Sequence, residues 1–210
     1  MKYPTELQLL FFRKALEQFV VFTEREWDIF AGYLHVKTLK KKEYFAEAGK
    51  VCNEVGFLLR GSIRYYHVKD GVEITGYFSF ENEFVSAYKS FLTQTPSTAS
   101  IQAMENCQVI CFTHSGLRDL FDNPLVNYKI ERFGRLVAEA LICCYDDRVA
   151  SFVTKTPEER YMELLHSNNN ILTRIPQHYV ANYLGITPVS LSRIRRRILK
   201  PQHGLRQVTG

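Results

Sequence analysis

The residues that most restrict the fold of this chain lie between Gly185 and Pro188. Upstream, Tyr179, Val180, Tyr183 and Leu184 recur at helical spacing behind Pro176, and Gly185 stands where a helix C-terminus favours positive φ. Downstream, Thr187 has the chemistry of an N-cap and Pro188 that of a first helical residue. A stop and a start this close preclude one continuous helix. They require two short helices joined by a tight turn, which is a helix-turn-helix.

At about 100° per residue, the second helix places Leu191, Ile194 and Ile198 on one face, where they can bury against the first helix. Val189, Ser192, Arg193 and Arg196 lie opposite, with Ser190, Arg195 and Arg197 on the flanks. Arginine pairs with a guanine edge through two hydrogen bonds, serine donates or accepts, and a valine methyl can touch a thymine methyl. Thr187, Val189, Ser190, Ser192, Arg193, Arg196 and Arg197 are therefore the candidate DNA-contacting residues, with double-stranded DNA as the expected partner. The competing reading is a solvated basic face.

Charge supports the first reading. The net charge is +5, but it is unevenly divided. Glu163 is the last acidic residue, and beyond it stand Arg174, Arg193, Arg195, Arg196, Arg197, Lys200 and Arg206, so residues 164–210 carry +7 and residues 1–163 carry −2. A near-neutral body with a basic C-terminal segment suits a polyanionic partner.

The body changes character along its length. Residues 5–35 show helical apolar spacing broken near Thr23, where Thr23 and Glu26 form a capping-box pattern. From Val36 to Thr113, short runs rich in Val, Ile, Phe and Tyr alternate with turn signals. The segments GFLLRGSIRYYHV and VEITGYFSF, joined by Lys69-Asp70-Gly71, read as hairpins of a small antiparallel barrel or sandwich. Ser115 is the expected cap of a short helix that ends at Asn123-Pro124.

A long helix is expected from about Leu125 to Phe152. Its residues Ile130, Phe133, Val137, Ala140 and Cys144 are spaced 3-4-3-4, the period of a coiled-coil seam, and are the candidate interface of a homodimer. Packing of that seam on the chain's own core is the alternative. Thr156, Pro157, Glu158 and Glu159 then start another helix, which sets the expected division into residues 1–154, including a dimerisation helix over about 125–154, and residues 155–210.

Several classes are disfavoured. No run approaches the ~20 apolar residues of a membrane span, and Glu6, Arg13, Lys14 and Glu17 interrupt any signal-peptide pattern. A cytoplasmic location without membrane contact follows as the expectation, with the five cysteines as reduced thiols. There is no Gly-x-Ser-x-Gly, His-Glu-x-x-His or phosphate-binding Gly-rich loop, and the six histidines are scattered, so no enzyme is expected. Cys107 and Cys111 can share a strand face, whereas Cys143 and Cys144 diverge on a helix, and neither pair makes a metal cluster. Neither a metal nor a cofactor is expected. A cupin-like β-barrel enzyme, or a ligand-binding module whose basic tail binds another anionic partner, are the alternatives, and both leave the exposed arginines unexplained.

Taken together, the segment VANYLGITPVSLSRIRRRI and the strand-Gly-strand pattern of FLLRGSIRYY resemble the Crp/Fnr transcription regulators over about residues 20–200. Gly185 and Arg193 fall at the family's turn glycine and base-reading arginine. The resemblance implies an α+β fold: an N-terminal antiparallel β-roll like a cyclic-nucleotide-binding domain with flanking helices, a long dimerisation helix, and a C-terminal winged helix-turn-helix. It also implies RNA polymerase as a partner if the protein is an activator.

The family's nucleotide-binding members carry Phe-x-Gly-Glu, whose Glu holds the ribose, and then Arg-Ser-Ala, whose Arg pairs with the phosphate. In the matching stretch, Phe84 to Ala103, Ser86 and Ala87 replace Gly-Glu and Ser97-Thr98 replace Arg-Ser, with Lys89 as the remaining charge. Ser86, Ala87, Lys89, Ser97 and Thr98 are the candidate effector pocket. Losing the guanidinium removes a contact of about 1.5–3 kcal/mol, which argues against cyclic AMP and leaves the effector unassigned. The iron–sulfur members cluster cysteines near the N-terminus, whereas the first cysteine here is Cys52.

Overall fold

A computed structural model describes residues 2–166 and 171–199 of the chain. Two units divide after Val149. The first begins with α1 (Glu6–Leu16) and α2 (Glu24–Ala31), followed by β1 (His35–Leu39), β2 (Tyr44–Ala46), β3 (Glu54–Arg60), β4 (Ile63–Lys69), β5 (Val72–Ser79) and β6 (Phe84–Val85). Then come α3 (Tyr88–Thr93), β7 (Ser100–Ala103), β8 (Cys107–Thr113), α4 (His114–Asp122) and the long α5 (Asn127–Thr154). The second unit contains α6 (Pro157–His166), α7 (Ile171–Arg174), α8 (Gln177–Tyr183) and α9 (Pro188–Leu199). No described helix is long and apolar enough to cross a membrane.

The strands form two four-stranded antiparallel sheets, ordered β1-β8-β3-β6 and β2-β7-β4-β5. Asp70 and Gly71, at φ 53° and 76°, make the two-residue turn that pairs Lys69 with Val72. The expected FLLRGSIRYY hairpin does not form. β3 and β4 lie in different sheets, and the chain crosses between them at Gly61. There φ is +108° and a Cβ would meet Cys107 Sγ at 2.5 Å, so glycine serves a crossing rather than a hairpin turn.

Two apolar clusters hold this unit. One fills the roll between the sheets, with Leu39, Leu58, Ile63, Ile101, Cys107, Val109 and Cys111 among its members. The other packs α1, α2 and α5 on the outer face of the first sheet through Phe12, Phe30, Phe57, Ile110, Phe112, Ile130 and Phe133. Phe12 and Phe57 approach to 5.1 Å between ring centroids, and Phe84 and Phe133 to 5.4 Å, both tilted rather than face to face.

This second cluster corrects the seam expected on α5. Ile130, Phe133 and Val137 are buried within their own unit, while Ala140 is exposed and Cys144 half-buried. The spacing marked the inward face of the helix. A different arc, Ala138, Ile142, Tyr145 and Val149, is exposed and repeats at 4-3-4.

Local rules account for most helix starts. Thr23 Oγ1 accepts from the Glu26 amide while Glu26 accepts from the Thr23 amide, the expected capping box. The cap of α4 is Thr113, which accepts from the Gly116 amide, not Ser115, whose hydroxyl shares a hydrogen bond with Thr113. Glu26 also binds Lys129 on α5 at 2.5 Å. That hydrogen bond to Lys129, and then the Thr23 amide, pull the Glu26 pKa down to about 2. A depressed carboxylate stabilises the fold above its unfolded pKa and loses that contribution as pH falls. Urea titrations should therefore show Glu26→Gln losing stability at pH 7 but converging on the parent as pH falls from about 4.5 towards about 2; a constant gap across that window would contradict the assignment.

Candidate nucleic-acid interface and effector region

The turn between α8 and α9 follows from its residues. Leu184 caps α8 and Gly185 follows at φ +72°. The Gly185 amide donates to Asn182 O and the Ile186 amide to Ala181 O, both at 3.0 Å, which is a Schellman motif. Thr187 then opens α9, its Oγ1 accepting from the Ser190 amide at 3.1 Å. Val180, Ala181 and Leu184 are buried, as are Leu191 and Ile194 on α9, while Ile198 is half-buried. The first helix turns its inner face slightly from the expected arc: Ala181 is buried, and Tyr179 and Tyr183 are only half-buried.

Arg160 on α6 completes this unit, and the sequence reading missed it. Its buried guanidinium donates to Leu184 O at 2.9 Å and Lys155 O at 2.5 Å and lies over the Phe152 ring. A cation thus satisfies a carbonyl at the negative end of α8. A Cβ on Gly185 would sit 3.3 Å from Phe152. These contacts explain why the division falls within α5 rather than at Lys155: the last turn of that helix belongs to the second unit.

On α9, Val189, Ser192, Arg193, Arg196 and Arg197 are exposed, and Ser190 and Arg195 half-buried. Thr187 and Ser190 exchange a hydroxyl hydrogen bond at 3.0 Å, so both are engaged in capping. Arg197 reaches Glu158 on α6 at 3.1 Å. That pair is largely exposed, worth about 0–1 kcal/mol, and a phosphate can replace the carboxylate. The described residues of this unit contain helices only, and the wing implied by the resemblance lies outside them.

The five candidate effector residues form no phosphate cradle. The Ser86 hydroxyl donates to Glu54 O at 2.9 Å and that of Ser97 to Ala99 O at 2.7 Å, which leaves neither proton for a ligand. Ala87 precedes α3 without a side-chain cap. Lys89 and Thr98 are exposed, and Thr98 O accepts from His67.

Phenols gather instead where β4, β5 and α3 approach α5. Tyr65 shares a hydrogen bond with Ser79 at 3.1 Å, Cys144 Sγ donates to the Tyr77 hydroxyl at 3.5 Å, and the Tyr88 hydroxyl is buried with no hydrogen-bond partner among the described residues. Tyr145 lies near enough to Tyr65 and Tyr88 to disfavour their ionisation, after burial itself. Burial also pushes Glu83 up to about 7. This region offers neutral hydrogen-bonding groups and a carboxyl, and none of these side chains is a cation that could pair with a phosphate.

Residues 36–123 match the cyclic nucleotide-binding domain family. No curated protein matches the sequence. Among solved structures, FixK2 from Bradyrhizobium japonicum superposes with a TM-score of 0.67 at 16% identity, covering 79% of this chain and 84% of that one. The c-di-GMP-responsive global regulator CLP of Xanthomonas campestris gives 0.64 at 14% identity over 84% and 91% of the two chains. A transcriptional regulator of the Crp/Fnr family from Eubacterium rectale gives 0.60 at 16% identity over 84% and 83%. The chain has the Crp/Fnr regulator fold. Within that fold, the strands from β1 to β8 make up the part that matches the cyclic nucleotide-binding domain family.

Proposed function

We propose that this chain is a DNA-binding transcription regulator of the Crp/Fnr type that acts as a homodimer and reads the major groove with α9. The observation that carries the reading is α9 itself. Thr187 caps it, Leu191 and Ile194 anchor it, and it turns Val189, Ser192, Arg193 and Arg196 outward in a segment without a carboxylate after Glu163. Dimerisation is assigned to the exposed arc Ala138, Ile142, Tyr145 and Val149 of α5 in place of the buried seam.

The Tyr65, Tyr88 and Glu83 region beside α5 is the place for an effector, and its chemistry disfavours a cyclic phosphate. The two units meet within α5 at Val149–Ala150, and the last turn of that helix is held to the second unit by Arg160. A change of geometry at this junction is how such an effector would set the spacing of two recognition helices at about 34–36 Å. The protein acts in the cytoplasm, without enzymatic activity, and meets RNA polymerase where it activates.

Fluorescence anisotropy with duplex DNA across a salt series tests the reading. Binding should weaken linearly in log–log form, with a slope of about −0.9 for each phosphate contacted. Failure to bind any duplex at low salt would favour the enzyme or interaction-module alternatives.

A further inference from the structure

Three donor atoms meet in the roll, on neighbouring strands of the first sheet. His35 on β1 is paired in register with Cys111 on β8, and Glu54 enters from β3 on the other side of β8. His35 Nε2 lies 2.8 Å from Glu54 Oε1, and the donor atoms of His35, Glu54 and Cys111 all fall within 4.8 Å of one another. We propose that His35 Nε2, Glu54 Oε1 and Cys111 Sγ form a binding site for one divalent cation of zinc-like, borderline-soft character.

The donor chemistry selects the ion. One imidazole, one carboxylate and one thiolate suit zinc and its neighbours and exclude calcium and magnesium, which take oxygen donors. Tetrahedral bonds of about 2.0–2.3 Å place ligand atoms roughly 3.4–3.8 Å apart. The His35–Glu54 pair must open slightly and Cys111 must move in, both within the reach of side-chain rotation. A cation would replace the His35–Glu54 hydrogen bond with two bonds to itself.

The surroundings favour such a site. Lys37 Nζ holds Glu54 Oε2 at 2.7 Å, which orients the carboxylate with its other oxygen towards His35. Hydrogen bonds of this kind to the unused atom of a ligand are the usual support of a metal centre. His35 and Cys111 are buried, whereas the side chains of Glu54 and Lys37 remain partly exposed and give an ion a way in. On binding, the Cys111 thiol, which burial keeps protonated, releases its proton to solvent, and the thiolate and the Glu54 carboxylate then offset the charge of the ion. The three protein ligands leave a fourth position open.

The site would staple β1, β8 and β3 together. It would also lie one hydrogen bond from the candidate effector residues, because Glu54 O accepts from Ser86. This inference goes beyond the DNA-binding reading and does not depend on it.

Cobalt(II) titration of the chelator-treated, reduced full-length chain is the test. One equivalent should develop the near-ultraviolet thiolate-to-cobalt charge-transfer band, and zinc should abolish the band by competition. Cys111→Ser should lose the band, and His35→Gln should weaken cobalt binding at least tenfold while keeping thiolate character. Cys143→Ser, at an exposed α5 position, should leave both unchanged. Near-ultraviolet circular dichroism confirms folding, and if Cys111→Ser does not fold, the His35→Gln affinity decides. No band in the folded parent, a band that survives Cys111→Ser, or one that disappears with Cys143→Ser would overturn the proposal.

Discussion

Phe133→Glu is expected to unfold the roll unit, not to release folded monomers. Phe133 is 4% exposed and packs against Phe19, Phe30 and Phe84. Emptying such a site costs about 3–5 kcal/mol, and placing an unpaired carboxylate there adds several more, against a typical domain stability of about 5–15 kcal/mol. Trp27, the single tryptophan, sits in the same cluster, so its fluorescence in urea reports the loss directly. Ile142→Glu should behave differently. Ile142 is 67% exposed, so the monomer fold should change by no more than about 0.5 kcal/mol, yet a like charge then faces itself across the proposed interface. Light scattering should give half the parent's mass for a protein with a parental urea midpoint. A folded Phe133→Glu monomer alongside a dimeric Ile142→Glu would restore the buried seam as the interface.

Arg193→Ala should lower affinity for the cognate site by roughly 5- to 150-fold, about 1–3 kcal/mol, and relax preference at one symmetric base-pair position. The side chain is exposed one turn after Val189, and the next residue, Ile194, is buried, so its loss leaves the packing of α9 untouched. Arg197→Ala should weaken binding to all sequences alike and reduce the salt slope by about one unit per subunit. Its pairing with Glu158 trims that effect only slightly, since an exposed pair is worth about 0–1 kcal/mol. Anisotropy with cognate and scrambled duplexes separates the two. Equal losses on both duplexes for Arg193→Ala would reduce Arg193 to a phosphate contact.

What could be read in the sequence was what is decided within a few residues. The Thr23–Glu26 box, the Thr156 cap and the Gly185–Thr187 turn each close their hydrogen bonds three to five residues away, so local chemistry suffices. Periodicity showed that α5 buries Ile130, Phe133 and Val137 but carries no record of the surface they meet. The sheet to which β4 belongs depends on pairings with β5 and β7, and a Gly turn alone does not separate a hairpin from a crossing. Arg160 looked like an ordinary helix-surface arginine. Only the packing of Leu184 and Phe152 buries it. His35, Glu54 and Cys111 are far apart in the chain, and strand register alone brings them together.

The central claim, that α9 reads DNA as part of a symmetric dimer, is most directly tested by selecting duplexes from a random library with the full-length protein and sequencing what is retained. The account predicts enrichment of an inverted repeat whose half-sites lie about 10–10.5 base pairs apart, or a multiple of that spacing, centre to centre. Retention of duplexes with no enriched sequence, or of none at all, would contradict it.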